Sequence, residues 1–432
     1  MRSFLIILFT LLAISSYAQS VRKVKALFVG NSYTAYNNMP QIIANMAFST
    51  GDTLEWDMEA PGGSSFLEHG GTLGPQLAKK KIKEGGWDYV SLQEQSLTPA
   101  VPDTNIYIMF KYGARLDSHI NLDNPCAETV FYMTWGRKNG DSFLCAKYIP
   151  QFNWPHYCTY NSMDSMIRLR YEQIANDNQA IISPAGAVWR YIRVHHPSIE
   201  LYNTDESHPS EAGSYAVACA FHTTFFRKDP SSISFDYNLS SSDAAIIRSV
   251  TKKVVYDSMS YWHIGEHKTN SLFEYNVTGT TVSYKNKSTN TTNHMWHFGD
   301  GQTDTSTTPI HTYAQKGIYT VTQIATNQTT GCSDTSYAHI NLFPADIDEI
   351  YGKSEFHIYP NPNTGALIIE SPRLIEVEEI IIKDITGKQM VRKTVNADKQ
   401  LKLTLNDIQD GTYILELYNH NNVYRERIVI SR

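Results

Sequence analysis

The sequence predicts an α/β domain over residues 22–262, followed by two small all-β segments at 270–342 and 353–432. Three observations carry this reading. Short apolar strands alternate with helical stretches up to residue 262, the pattern of a mostly parallel sheet covered on both faces. After Glu266 the texture changes to Thr, Asn, Ser, Tyr and Gly in period-two patterning. From Phe356 onward, short alternating strands are split by Asn, Gly and Pro turns. A chain of 432 residues has room for these parts, and the three segments do not repeat one another.

The elements follow in order. Met1 and Arg2 precede the apolar run Phe4–Ile14, which is too short to span a bilayer. Ser16 and Ala18 supply the small residues of a cleavage site, so residues 1–18 read as a secretory signal peptide cut after Ala18. Val24–Val29 is an apolar strand ending at Gly30. A helix over Asn38–Phe48 follows, with Pro40 near its first turn and Gly51 past its end. Leu54–Met58, Asp88–Leu92, Thr129–Thr134 and Ala180–Ser183 read as further strands. Leu73–Glu84, Met163–Ala175 and Ser210–Phe226 read as helices, and a last one starts near Ser242 and runs to about Trp262. In the second segment, Gly317–Asn327 is a strand and Phe298–Gln302 holds an Asp-Gly turn. A linker at Pro344–Gly352 leads to the third.

Composition narrows the function. With 37 Lys and Arg against 43 Asp and Glu the net charge is −6, which argues against a nucleic-acid binder. The five cysteines leave at least one thiol unpaired within the chain. Cys145 and Cys158 flank an aromatic, Pro-containing loop and are the best candidate pair. Cys145, His156 and Cys158 lack the second close Cys/His pair of a zinc site, so no metal is assigned. Cys219, inside an apolar helical run, reads as a core thiol.

The chemistry-bearing residues fall where strands end. Ser32 sits between an apolar strand and a helix, where an α/β sheet exposes residues at its carboxyl edge. There it reads either as a helix cap or as a nucleophile with an N–H nearby for developing negative charge. Asp205 and His208, three apart in "TDESHPSEAG", suit a carboxylate orienting an imidazole, or a solvated loop. "APGGSSF" (60–66) follows the second strand and offers open backbone N–H groups. "LQEQS" (92–96) follows the third and offers Gln93. Ser64 and Ser65 lack the strand–turn–helix setting of a nucleophile.

In combination these blocks resemble the SGNH (GDSL-like) hydrolases over residues 22–262. Gly30-Asn31-Ser32 matches the serine block, Gly62 or Gly63 the glycine block, with Gly63 favoured, and Asp205-x-x-His208 the last block. The third block departs from the family: Gln93 stands near the place of its usual asparagine. "LFVGNSYT", "WDYVSLQEQS" and "TDESHPSEAG" together look like a bacterial subgroup in which glutamine is usual. The resemblance implies a flavodoxin-like three-layer α/β/α fold and ester cleavage by Ser32, His208 and Asp205. It also implies an oxyanion hole from Ser32, Gly63 and Gln93, and no metal or other cofactor. Asn31, Gly62, His69 and Trp135 are candidates for the substrate pocket, and His69 and Trp135 read equally as structural residues.

"HMWHFGDGQ" with Pro309, Tyr313, Gly317 and Tyr319 resembles a PKD domain, an Ig-like sandwich used as a spacer. "YPNPNTG", "IKDITGKQM" and "LNDIQDGTYILELYN" resemble the type A C-terminal sorting domain of the type IX secretion system. That resemblance implies export through that machinery by a Bacteroidetes-type bacterium, ending in release or attachment at the cell surface. The expected function is a secreted serine esterase acting on ester, foremost O-acetyl, groups of an acylated glycan. The alternatives are a lipase or thioesterase of the same type, or a non-catalytic glycan-binding scaffold.

Overall fold

The computed structural model describes residues 18–72, 76–343, 356–361, 363–371, 377–384, 389–395, 400–405, 408–419 and 422–431. Apart from Ala18, the expected signal peptide lies outside them, as do the expected linker and the first three residues of the third segment. Two compact units result, dividing after Leu342.

The first unit contains, in order, β1 (Ala18–Gln19), β2 (Lys23–Val29), α1 (Ser32–Ala35), α2 (Met39–Ser49), β3 (Thr53–Glu59), α3 (Phe66–Gly70), α4 (Leu77–Glu84), β4 (Tyr89–Leu92), α5 (Tyr107–Asp123), β5 (Glu128–Tyr132), α6 (Ser142–Phe152), α7 (Tyr160–Asn178), β6 (Ile181–Ser183), α8 (Ala185–His195), α9 (Glu211–Phe226) and α10 (Ser241–Val254). Strands β4 and β5 are buried along their whole length, as are the last four residues of β2. Such near-continuous apolar runs are what a sheet covered on both faces requires. The sheet is parallel in the order β3-β2-β4-β5-β6. This is the flavodoxin-like order, and it places a topological switch point between β2 and β4. Helix α9 is buried all round from Gly213 to Phe226, so it is a core helix rather than a surface one. The expected last helix is shorter than read: α10 ends at Val254, and a 3₁₀ stretch, Tyr256–Trp262, follows.

Two antiparallel sheets complete this unit, with β7 (Phe273–Thr278), β8 (Thr281–Asn286), β9 (Asn293–His297), β10 (Thr303–Asp304), β11 (Ile310–Thr312), β12 (Ile318–Asn327) and β13 (Cys332–Asn341). Their orders are β1-β7-β8-β11 and β10-β9-β12-β13. Trp296, Phe273, Tyr284 and Ile340 fill the space between them. Asp300 forms the Asp-Gly turn by accepting from Gln302 N at 3.0 Å, and it also accepts from His311 Nε2 at 2.8 Å.

The sandwich packs with the α/β part into one compact unit. Strand β1, at the start of the described residues, pairs with β7. The buried Arg22 guanidinium donates to Phe225 O at 2.8 Å and pairs with Asp334 at 2.8 Å. A disulfide joins Cys126, ahead of β5, to Cys332, the first residue of β13. Cys145–Cys158 is also bonded, as expected, and Cys219 is a buried free thiol.

The second unit is a sandwich of β14 (His357–Tyr359), β15 (Ala366–Glu370), β16 (Glu379–Asp384), β17 (Gln389–Thr394), β18 (Gln400–Thr404), β19 (Gly411–Asn419) and β20 (Asn422–Ile430). Its sheets run β14-β15-β18 and β17-β16-β19-β20 around Leu367, Ile369, Ile380, Leu415 and Ile428. No helix among the described residues is long and apolar enough to cross a membrane.

Candidate active site

Three loops meet at the carboxyl ends of β2, β3 and β4, beside the switch point. The first begins at Gly30. A Cβ there would lie 2.6 Å from Gln93 Oε1, so only glycine lets the two strand ends close up. Asn31 caps α1, its Oδ1 accepting from Tyr33 N at 3.0 Å. Ser32 is therefore the first residue of α1, half-buried, with its N–H taking no acceptor among the described residues.

The histidine loop reaches Ser32 from 176 residues away. His208 Nε2 lies 2.8 Å from Ser32 Oγ, and His208 Nδ1 bonds Asp205 Oδ2. An ionised carboxylate can only accept, so Nδ1 carries the proton and Nε2 is free to accept from the Ser32 hydroxyl. Asp205 Oδ1 also takes the N–H groups of Ser207 (3.0 Å) and His208 (2.9 Å). Against a partial burial that favours the neutral acid, these bonds hold the Asp205 carboxyl below its usual range.

The loop is held from beneath by aromatic residues. Trp135 is wholly buried between Tyr33 (4.8 Å, 4°) and Trp189 (3.7 Å, 8°), and its Nε1 donates to Ser207 O at 3.1 Å. Tyr33 OH bonds Ser207 Oγ at 2.7 Å, and Tyr36 stacks on the His208 ring at 4.9 Å. Asn37, in the left-handed region, donates to Pro209 O at 3.3 Å, Ser210 O at 3.1 Å and Ser214 Oγ at 2.9 Å. This fastens the nucleophile turn to the histidine loop.

The third loop is "PGGSS". Gly63 has φ +76°, with open space where a Cβ would be, and its N–H takes no acceptor among the described residues. Asn31 Nδ2 donates to Ser64 O at 2.8 Å, tying this loop to the one carrying Ser32. Ser65 caps α3 in a reciprocal pair with Glu68, which accounts for that serine without chemistry.

Four expectations need correction. Gln93 does not present its amide N–H₂ as an oxyanion donor. Its Oε1 accepts from Asn31 N and from the Thr34 hydroxyl, both at 3.0 Å, and its Nε2 donates to Glu94 O. Because Asn31 N–H can only donate, the amide cannot be turned over. Asn31 and Trp135 are buried braces rather than pocket walls. His69 is also buried; its Nε2 donates to Gly30 O at 2.7 Å, and burial lowers its pKa, which suits a neutral ring. Of the expected wall residues only Gly62 has open surface.

Tyr33, Tyr36, Asn37 and Ser207 were not singled out from the sequence. The signal lay in "YNNMP", where two asparagines tolerant of left-handed backbone precede a helix-opening proline. Glu94 was also missed. It is fully buried, accepts from Phe66 N (3.1 Å) and Gln95 N (2.6 Å), and burial pushes its carboxyl up to about 8.

Residues 268–342 match the PKD domain family, and residues 357–431 match the secretion system C-terminal sorting domain family. The sorting domain marks the chain for export, as a secreted or cell-surface protein. No curated protein sequence matches the chain. Among solved structures, a protein from Slackia heliotrinireducens, provisionally named an SGNH hydrolase, is similar at 24% identity and TM-score 0.38. The match covers 46% of this chain and 97% of that one. A DUF4886 family protein from Bacteroides uniformis ATCC 8492 is similar at 16% identity and TM-score 0.45, covering 55% and 95%. The PKD1 domain of the Vibrio cholerae metalloprotease PrtV is 34% identical over 18% of this chain and 98% of its own, with TM-score 0.17.

Proposed function

We propose that the chain is an exported serine esterase of the SGNH type, with Ser32 as nucleophile. The supporting observation is the continuous hydrogen-bonded relay from Ser32 Oγ through the His208 ring to Asp205, set at the switch point of the sheet. His208 Nε2 takes the Ser32 proton as Oγ attacks the ester carbonyl. Asp205 fixes the tautomer and stabilises the imidazolium that forms. The oxyanion is received by the N–H groups of Ser32 and Gly63, which have no other acceptor among the described residues. His208 then protonates the leaving alcohol, and water repeats the sequence to free the acyl group.

The substrate is an acylated glycan, with O-acetyl groups foremost. An enzyme addressed to the cell surface by a type IX sorting domain and carrying a PKD spacer meets polysaccharide there. Hydrolysis of p-nitrophenyl acetate by residues 19–432, beside the Ser32→Ala variant, tests the reaction. Turnover falling by on the order of 10³-fold or more in the variant is the expected result. Equal turnover in the two proteins, or binding to acetylated polysaccharide without any turnover, would overturn it.

A further inference from the structure

Immediately after the 3₁₀ stretch, the chain reads His263-Ile-Gly-Glu266-His267. One ligand atom from each of His263, Glu266 and His267 lies within 4.8 Å of the other two. We propose that these three side chains form a binding site for a zinc-like divalent transition-metal ion, with water completing its coordination.

The donor set selects the ion class. Two imidazole nitrogens and one carboxylate oxygen suit zinc and its neighbours, whereas calcium and magnesium prefer all-oxygen shells. In a tetrahedral site with bonds of ~2.0–2.2 Å, neighbouring donor atoms sit about 3.3–3.5 Å apart. Side-chain rotation of about an ångström therefore closes the set around an ion. His263 Nδ1 and Glu266 Oε2 are already 2.7 Å apart, and the His263 and His267 rings lie 5.6 Å apart, tilted at 38°.

The backbone carrying the donors is held on both sides. Ile264 N donates to Met259 O at 3.0 Å and Glu266 N to His263 O at 3.0 Å. From the PKD side, Asn290 Nδ2 donates to Gly265 O at 3.3 Å and to Lys268 O at 3.2 Å. The neighbouring cation, Lys268, lines the adjoining cavity, where its Nζ is held by Asn121 Oδ1 at 2.9 Å and Pro125 O at 3.1 Å.

A second observation points the same way. Glu266 and His267 line a polar cavity of about 430 Å³ shared with Asp117 and Glu128. Glu128 is 2% exposed, and its Oε1 has no hydrogen-bond partner among the described residues. A buried, unpartnered carboxyl oxygen on this wall is a partner for ion-bound water. The cavity gives the ion a route in.

The site lies apart from the proposed chemistry. Glu128 opens β5, so the cavity is at the amino ends of the parallel strands, whereas Ser32 follows the carboxyl end of β2. Its place, between the last helical stretch of the α/β part and β7, makes it a clamp on the junction with the PKD domain.

The test uses the full chain from residue 19, purified without a polyhistidine tag and stripped with EDTA. It is titrated with ZnCl₂ against a chromogenic chelator. The proposal expects about one equivalent of tightly bound zinc, a higher melting temperature when loaded, and loss of that equivalent in His263→Ala/His267→Ala. Glu266→Gln, at an exposed position, should weaken binding at least about tenfold and guards against a misfolded double variant. A His195→Ala/His196→Ala control should bind as the parent does. Zinc uptake by the double variant equal to the parent's, or no equivalent in the parent, would overturn the proposal.

Discussion

Breaking the Cys126–Cys332 bond, by replacing both residues with alanine, should cost more stability than breaking Cys145–Cys158. The first closes a separation of 206 residues and the second one of 13. Loop-closure entropy in the unfolded chain then gives about 5 kcal/mol for the long bridge and about 3 kcal/mol for the short one. At about 2 °C per kcal/mol for a unit of this size, melting should fall by about 10 °C and about 6 °C respectively. The assay is thermal unfolding under non-reducing conditions, followed by near-ultraviolet circular dichroism, for the parent and the two double variants. Ester hydrolysis at 25 °C should be unchanged in the Cys126/Cys332 variant. The Arg22–Asp334 pair and the β1–β7 pairing still hold the sandwich in place, and the bridge touches no residue of the relay. A Cys126/Cys332 variant melting within about 2 °C of the parent, or above the Cys145/Cys158 variant, would refute the loop-length argument.

Asp205→Asn should keep the fold and lower kcat by about 10³–10⁴-fold, because the amide would face His208 Nδ1 with donors and hold the ring in the wrong tautomer. Kinetics with circular dichroism would check both halves, and a loss of less than about tenfold would contradict the orienting role. Glu94 sets a pH dependence of stability. Its carboxyl goes from an ordinary 4.5 to about 8 on burial, so the folded state binds the extra proton between those values. Stability therefore falls as pH rises through that window, by about 5 kcal/mol for this group. Glu94→Gln should flatten the fall and melt above the parent at pH 9, with a residual slope to which Glu128, which burial also pushes to about 8, contributes. Parallel stability–pH curves for the two proteins would exclude this origin.

The strand–helix alternation, the two β segments and the Ser32, Asp205 and His208 positions were legible because each rests on local pattern. Apolar runs such as "ALFV" end at sheet edges, and a carboxylate three residues from a histidine on one short loop can reach it. The supports were not legible because they depend on which distant groups meet. Gln93 looked like a donor, yet the neighbouring Asn31 N–H turns its oxygen inward. Trp135 looked like a wall, yet Tyr33 and Trp189 enclose it from both sides. Cys126 and Cys332 stand in segments that the sequence divides, and long-range contacts such as the β1–β7 pairing, the Arg22–Asp334 pair and the Tyr89–Asn270 hydrogen bond bring those segments together. The His263–His267 cluster carries the known His-x-x-Glu-His spacing of metal ligands, but its donors converge through a turn rather than on a helix, and no helical pattern at 263–267 drew attention to it.

The central claim is that Ser32 is an activated nucleophile. Incubation with a fluorophosphonate, followed by intact-mass and peptide mass spectrometry, tests it most directly. The account predicts one adduct per chain, on the peptide containing Ser32, and none in His208→Ala within the time that labels the parent fully. An unlabelled parent, or an adduct on Ser64 or Ser65 instead, would contradict it.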